Sequence, residues 1–98
     1  MASSYPRPGW AEQSALDIWA SVQAVIADIM ARVPAGIAGI AIANQRETLV
    51  VWDAQTSQPI CPAIIWQCRR TADASAALHA AGHNAAVEAA TGLAINPL

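Results

Sequence analysis

Lysine and phenylalanine are absent from this 98-residue chain, tyrosine occurs once, and only 12% of the residues are charged. All five cations are arginines, scattered as Arg7, Arg32, Arg46, Arg69 and Arg70, and the net charge is −2. Nothing forms a basic stripe, so the electrostatic footprint of a nucleic-acid binder is missing. No apolar run approaches the roughly 20 residues of a membrane span. The first eight residues hold no apolar signal core, which places the chain, as an expectation, in the cytoplasm. Two cysteines do not make a disulfide framework and are expected as free thiols in a reducing compartment. An ordinary soluble domain is about 25% charged. A chain so poor in charge is expected to be a piece of a larger protein or to bury a large interface.

What is present is small and apolar. Hydrophobic residues make up 55% of the chain, much of it alanine. A single domain of this length buries about two-thirds of its unfolded surface. The large anchors available to it are Trp10, Trp19, Trp52, Trp66 and the Ile, Leu and Val set. Residues 1–11 read as extended, because Pro6 and Pro8 disfavour helix before them and Gly9 adds a break; Tyr5 and Trp10 are expected to pin this arm. Ser14 with Asp17 three residues on marks a helix start. Leu16, Trp19, Val22, Val25 or Ile26, Ile29 and Arg32–Val33 then recur at helical spacing, and Pro34 and Gly36 end the run. Packing of this stripe against a sheet is the expectation, ahead of a partner-binding role.

Three short apolar runs follow, at about 37–43, 48–53 and 60–66, divided by polar segments. Their short connections predict an antiparallel meander. The first run, Ile37-Ala-Gly-Ile-Ala-Ile-Ala43, has the small, apolar character of a strand covered on both faces. Thr71 can cap a helix over 72–81 and Asn84 another ending at Gly92. The predicted class is α/β: a long helix, a three-stranded antiparallel meander, then short helices.

The chemistry concentrates at Asn44-Gln45-Arg46-Glu47-Thr48. Turns favour Gly, Pro, Asn, Asp and Ser, and only Asn44 conforms. In the meander this segment and Trp66 come to one edge. Neighbouring strand residues point to opposite faces, so Arg46 and Glu47 share a ligand only if the backbone turns there, which Asn44 permits. A guanidinium donor, a carboxylate acceptor and an indole face suit a polyhydroxylated molecule. The plainer alternative is an Arg–Glu pair at a strand end, worth at most about 1 kcal/mol, with Trp66 in the core.

A resemblance favours the first reading. Ser4-Tyr-Pro-Arg-Pro-Gly-Trp-Ala-Glu12, Ile18-Trp19-Ala20, Asn44-Gln-Arg-Glu-Thr48, Trp52-Asp53, Pro59-Ile60, Ala63-Ile-Ile-Trp-Gln-Cys-Arg-Arg-Thr71, Thr91-Gly-Leu93 and Asn96-Pro97 resemble the glycerol kinases of the FGGY carbohydrate kinase family. The resemblance implies an actin-like, ribonuclease H-like fold, with residues 1–98 as part of the N-terminal domain, incomplete at both ends. It implies that Arg46 and Glu47 hydrogen-bond glycerol and that Trp66 packs against its carbons. Arg69 and Arg70 are assigned to local structure or an interdomain contact. The implied parent uses ATP and Mg²⁺, whose binding groups and catalytic aspartate would lie outside this chain, so the isolated chain is expected to be inactive. Departures are Ala43 for Thr, Ser57 for a turn Gly, and Asn96 for Asp. The second readings are a related sugar or polyol kinase fragment and a small non-catalytic interaction domain. A zinc site from Cys61, Cys68, His79 and His83 is disfavoured, since six residues separate the cysteines and Gly82 interrupts the helix.

Overall fold

The computed structural model describes residues 2–33 and 35–97, so the helix-ending role expected of Pro34 lies outside the described residues. The elements in chain order are β1 (Ser3–Ser4), β2 (Glu12–Gln13), α1 (Ala15–Arg32), β3 (Ala63–Ile64), α2 (Ala72–Ala80) and α3 (Asn84–Thr91). Helix α1 begins as its sequence dictates. The Ser14 hydroxyl accepts the Asp17 N–H at 3.1 Å, a cap worth about 1 kcal/mol. At the other end Arg32 pairs with Asp28 one turn back at 2.9 Å, an exposed pair contributing about 0.5 kcal/mol or less. Gly36, at φ 91°, takes the left-handed turn that directs the chain away.

The three-stranded antiparallel sheet exists, but two of its strands come from the N-terminal arm. Strand β2 lies between β1 and β3, with Ser4 opposite Glu12 and Glu12 opposite Ile64. The second and third apolar runs do pair antiparallel: Leu49 and Ile64 exchange backbone hydrogen bonds of 2.8 and 2.9 Å, and Trp52 bridges Pro59. Between those bridges the second side carries two more residues than the first, and Pro62 there has no N–H to donate, so the ladder bulges.

The first run does not become a strand. Among the described residues no backbone hydrogen bond joins 37–43 to another segment, and Ile40 and Ile42 are exposed. A strand exists only through a lateral neighbour, and the turn at Arg46–Glu47 does not fold 48–53 back onto this run.

Helix α1 also departs from expectation. None of its residues is buried, and Trp19 is 57% exposed, so the stripe has no sheet packed over it. Loop residues flank it instead: Val50, Trp52 and Pro59 near Trp19, and Ile37 and Ile40 near Ile26 and Ile29. The core that does form is small: Ala11, Ala63, Ile65 and Cys68, with Trp10 and Ile64 against it. Trp10 therefore pins the arm as anticipated, whereas Tyr5 is 66% exposed and does not. The radius of gyration is 18.2 Å, against about 13 Å for a compact domain of this length.

The caps of the last two helices also differ. The Thr71 hydroxyl does not cap α2 but donates to the Pro97 carbonyl at 3.1 Å. Asn84 is the first residue of α3 rather than its cap, and its side-chain oxygen accepts the Ile95 N–H at 3.1 Å. Both side chains tie the C-terminal segment down, and a long-range partner displaces the local capping bond. Gly92 ends α3 in the left-handed conformation, as its position predicts.

Candidate functional site

The Leu49–Ile64 pairing sets the geometry of the candidate site. Arg46 and Glu47 lie just before Leu49 and Trp66 just after Ile64, so antiparallel pairing brings both turns to the same end of the ladder. There Gln45, Arg46, Glu47 and Trp66 line an open hollow of about 230 Å³. That is below the range of about 300–1,000 Å³ typical of pockets for larger ligands. The edge arrangement inferred from the sequence is present, although the strand expected to lead into it is not.

The turn itself is made differently from the expectation. It is Glu47, not Asn44, that carries the unusual backbone, at φ 60°. An L-residue in the left-handed region costs about 1–2 kcal/mol. Non-glycine residues rarely adopt it, and such strain clusters at functional positions. The effect here is to break strand alternation between Arg46 and Glu47, the condition both need to line one hollow. Gln45 donates from its side-chain amide to the Thr48 hydroxyl at 2.7 Å, bracing the turn from within. Sequence reasoning gave Gln45 no role; its place inside the Asn44–Thr48 segment was the available signal.

The plainer alternative does not match the structure. Among the described residues the ion pairs are Arg32–Asp28 and Arg70–Glu12, so Arg46 and Glu47 do not neutralise each other. Trp66 is 47% exposed and lies outside the core. The guanidinium of Arg46, the carboxylate of Glu47 and a half-open indole therefore line one hollow with no ion pair between the two charged groups.

At the far end of the ladder, the Asp53 carboxylate accepts from the Thr56 N–H, the Thr56 hydroxyl and the Gln55 N–H, which together hold its pKa below the usual carboxylate value. Those bonds close the turn in which Ser57, like Glu47, sits in the left-handed region, at φ 57°. The serine takes this backbone at a steric cost.

No set of three or more His, Cys, Asp or Glu side chains comes together as a metal cluster among the described residues. Cys61 is exposed, and Cys68 is buried and accepts a hydrogen bond from Arg70. The His79 ring nitrogen lies 2.9 Å from the Ile95 carbonyl. No described helix is long and apolar enough to cross a membrane.

The scaffold is a mixed helix and antiparallel sheet that presents a donor, an acceptor and an aromatic wall at one edge. The chain belongs to the FGGY family of carbohydrate kinases, whose N-terminal domain matches residues 1–98. Its relatives include glycerol kinase 1 of Pseudomonas aeruginosa, 51% identical over 96 residues, and the glycerol kinase of Carboxydothermus hydrogenoformans, 50% identical over 95 residues. These alignments cover 95% and 94% of this chain and 19% of each relative. The crystal structure of a "xyloylose kinase" from Brucella ovis superposes with a TM-score of 0.85 at 28% identity, over 99% of this chain and 20% of that one. The chain thus spans about a fifth of the length of the curated relatives it matches.

Proposed function

We propose that the hollow at Gln45, Arg46, Glu47 and Trp66 is part of the acceptor site of an ATP-dependent glycerol kinase. The observation that carries this reading is the unpaired Arg46 and Glu47 brought to one side by the left-handed backbone of Glu47, opposite an uncovered indole. The Arg46 guanidinium donates to one hydroxyl of glycerol. The Glu47 carboxylate accepts from another, and the carbons lie along the face of Trp66. Two directional bonds and one apolar wall fix a three-carbon triol in orientation, which is the protein's main task in phosphoryl transfer.

A triphosphate asks for clustered cations and backbone N–H groups, and a magnesium ion for carboxylate, water and phosphate oxygens. Here a single cation stands beside a single carboxylate. The hollow fits the neutral acceptor and not the phosphates, so ATP and Mg²⁺ belong to the remainder of the kinase, and no step is routed through them on this chain.

The chain acts as a part of the N-terminal domain that other polypeptide completes. Its accessible surface is 7645 Å², whereas a compact protein of 10.2 kDa exposes about 5,300 Å². The excess is of the size that large permanent interfaces bury. Much of it is apolar, on the α1 stripe and the unpaired run 37–43. The rest of the kinase is the partner proposed for that face, with the cytoplasm as the compartment.

The test is turnover. The purified chain is expected to show no ATP-dependent phosphorylation of glycerol, and activity is expected when it is mixed or co-expressed with a glycerol kinase lacking the corresponding segment. Turnover by the chain alone would overturn the assignment of the ATP groups elsewhere. A chain that neither complements nor binds glycerol would favour the non-catalytic interaction domain.

A further inference from the structure

We infer that Arg70, through a half-buried clasp with Trp10 and Glu12, is a positioning residue that sets Trp66 against Arg46 and Glu47. This rests on the polyol reading of the hollow.

Segment 65–70 is stitched to the N-terminal arm along its length. Ile65 N–H donates to the Ala11 carbonyl at 3.3 Å, and Arg69 N–H donates to the Gly9 carbonyl at 2.6 Å. The turn carrying Trp66 and Gln67 is closed on itself by Cys68 N–H to the Ile65 carbonyl at 2.8 Å. Arg70 fastens the far side. Its guanidinium donates to the Glu12 carboxylate at 2.6 Å and lies 3.9 Å from the centroid of the Trp10 ring, and its Nε donates to the Cys68 sulfur at 2.9 Å. The Arg70 and Glu12 side chains are 18% and 13% exposed, so the pair is little screened.

Glu12 is the pivot. Its backbone pairs with Ile64, and Ile64 in turn pairs with Leu49, behind the Arg46–Glu47 turn. One wall of the hollow is therefore tied to Ile64 by the ladder. The other wall, Trp66, is held from both sides of its own turn, by Ile65 on Ala11 and by Arg70 on Glu12 and Trp10. Arg70 lines no part of the hollow; it acts through the turn. Only a planar guanidinium can stack on the indole, pair with the carboxylate and reach the sulfur at once, so lysine is a partial substitute.

The Cys68 thiol reports on the same clasp. Burial pushes it up, but the hydrogen bond and charge of Arg70, with hydrogen bonds involving the Ala11 and Arg70 backbones, bring it below the ordinary thiol value.

The experiment follows the Trp66 indole N–H of the ¹⁵N-labelled 98-residue chain by NMR, assigned with Trp66→Phe, with and without glycerol. Arg70→Met is expected to raise the mobility of the Trp66 indole and weaken the glycerol-induced shift roughly tenfold in midpoint. The amides of Arg46 and Glu47 should keep their unliganded positions, and Arg70→Lys should fall in between. Glu12→Gln, which keeps a neutral acceptor, serves if Arg70→Met unfolds the chain, and should loosen Trp66 with helical circular dichroism unchanged. Trp66 as ordered and as responsive in Arg70→Met as in the native chain overturns the inference, as does an unaltered Trp66 in a folded Glu12→Gln. If glycerol shifts none of Arg46, Glu47 and Trp66 in the native chain, the polyol reading fails, while the mobility of the indole still decides whether Arg70 fixes it.

Discussion

Glu47→Gln in the complemented kinase is expected to lower kcat/KM for glycerol by about 10- to 100-fold, the factor corresponding to loss of one hydrogen bond to a charged group. Arg46→Met should fall in the same range for the complementary reason, since it removes the donor. Steady-state assays at varied glycerol measure both. The double variant should lose less than the product of the two single losses if both groups grip one molecule, because removing either lets the ligand drift from the other. Glu47→Gly separates function from stability. It relieves the left-handed backbone at φ 60° and should stabilise the chain by about 0.5–1 kcal/mol while abolishing the contact. Thermal unfolding and kinetics moving in opposite directions is the signature of strain held for a ligand. If Glu47→Gly is both more stable and fully active, Glu47 has no part in acceptor binding.

Ile26→Asp is expected to have the second large effect, and in an unusual place. Ile26 is exposed on α1, so the isolated chain should change by about 0.5 kcal/mol or less. In the assembled kinase the same aspartate would have to be buried unpaired, at a cost of several kcal/mol. Complementation should therefore fall at least about 100-fold, while circular dichroism of the chain alone stays unchanged. An Ile26→Asp chain that complements normally would mean that the α1 stripe faces solvent in the working enzyme.

The parts of this molecule legible in its sequence are those whose causes are local. The Ser14 cap, the span of α1 and the stop at Gly92 follow from short-range bonds that the residues themselves specify. The pairing of the runs at about 48–53 and 60–66 was legible because its turn lies between two apolar runs, and the meeting of Trp66 with Arg46 and Glu47 follows from it. Other features depend on groups far away. Ser3–Ser4 and Glu12–Gln13 carry no strand pattern and become strands because Ile64 offers a free edge. Thr71 and Asn84 have capping side chains spent instead on Pro97 and Ile95. The run 37–43 has the composition of a doubly covered strand, yet no backbone hydrogen bond pairs it with another segment among the described residues. Its composition suits a covered environment, and in this structure Ile40 and Ile42 are exposed. The left-handed Glu47 was hidden because propensity argues against it, which is the circumstance in which a local rule fails at a site.

The central claim is that Arg46, Glu47 and Trp66 hold glycerol, and the most direct measurement is a crystal structure of the complemented kinase with glycerol bound. The account predicts hydroxyl oxygens within about 3.2 Å of the Arg46 guanidinium and the Glu47 carboxylate, with the carbons against the Trp66 ring. Glycerol bound elsewhere, with Arg46 and Glu47 facing solvent or paired to protein groups, would contradict it.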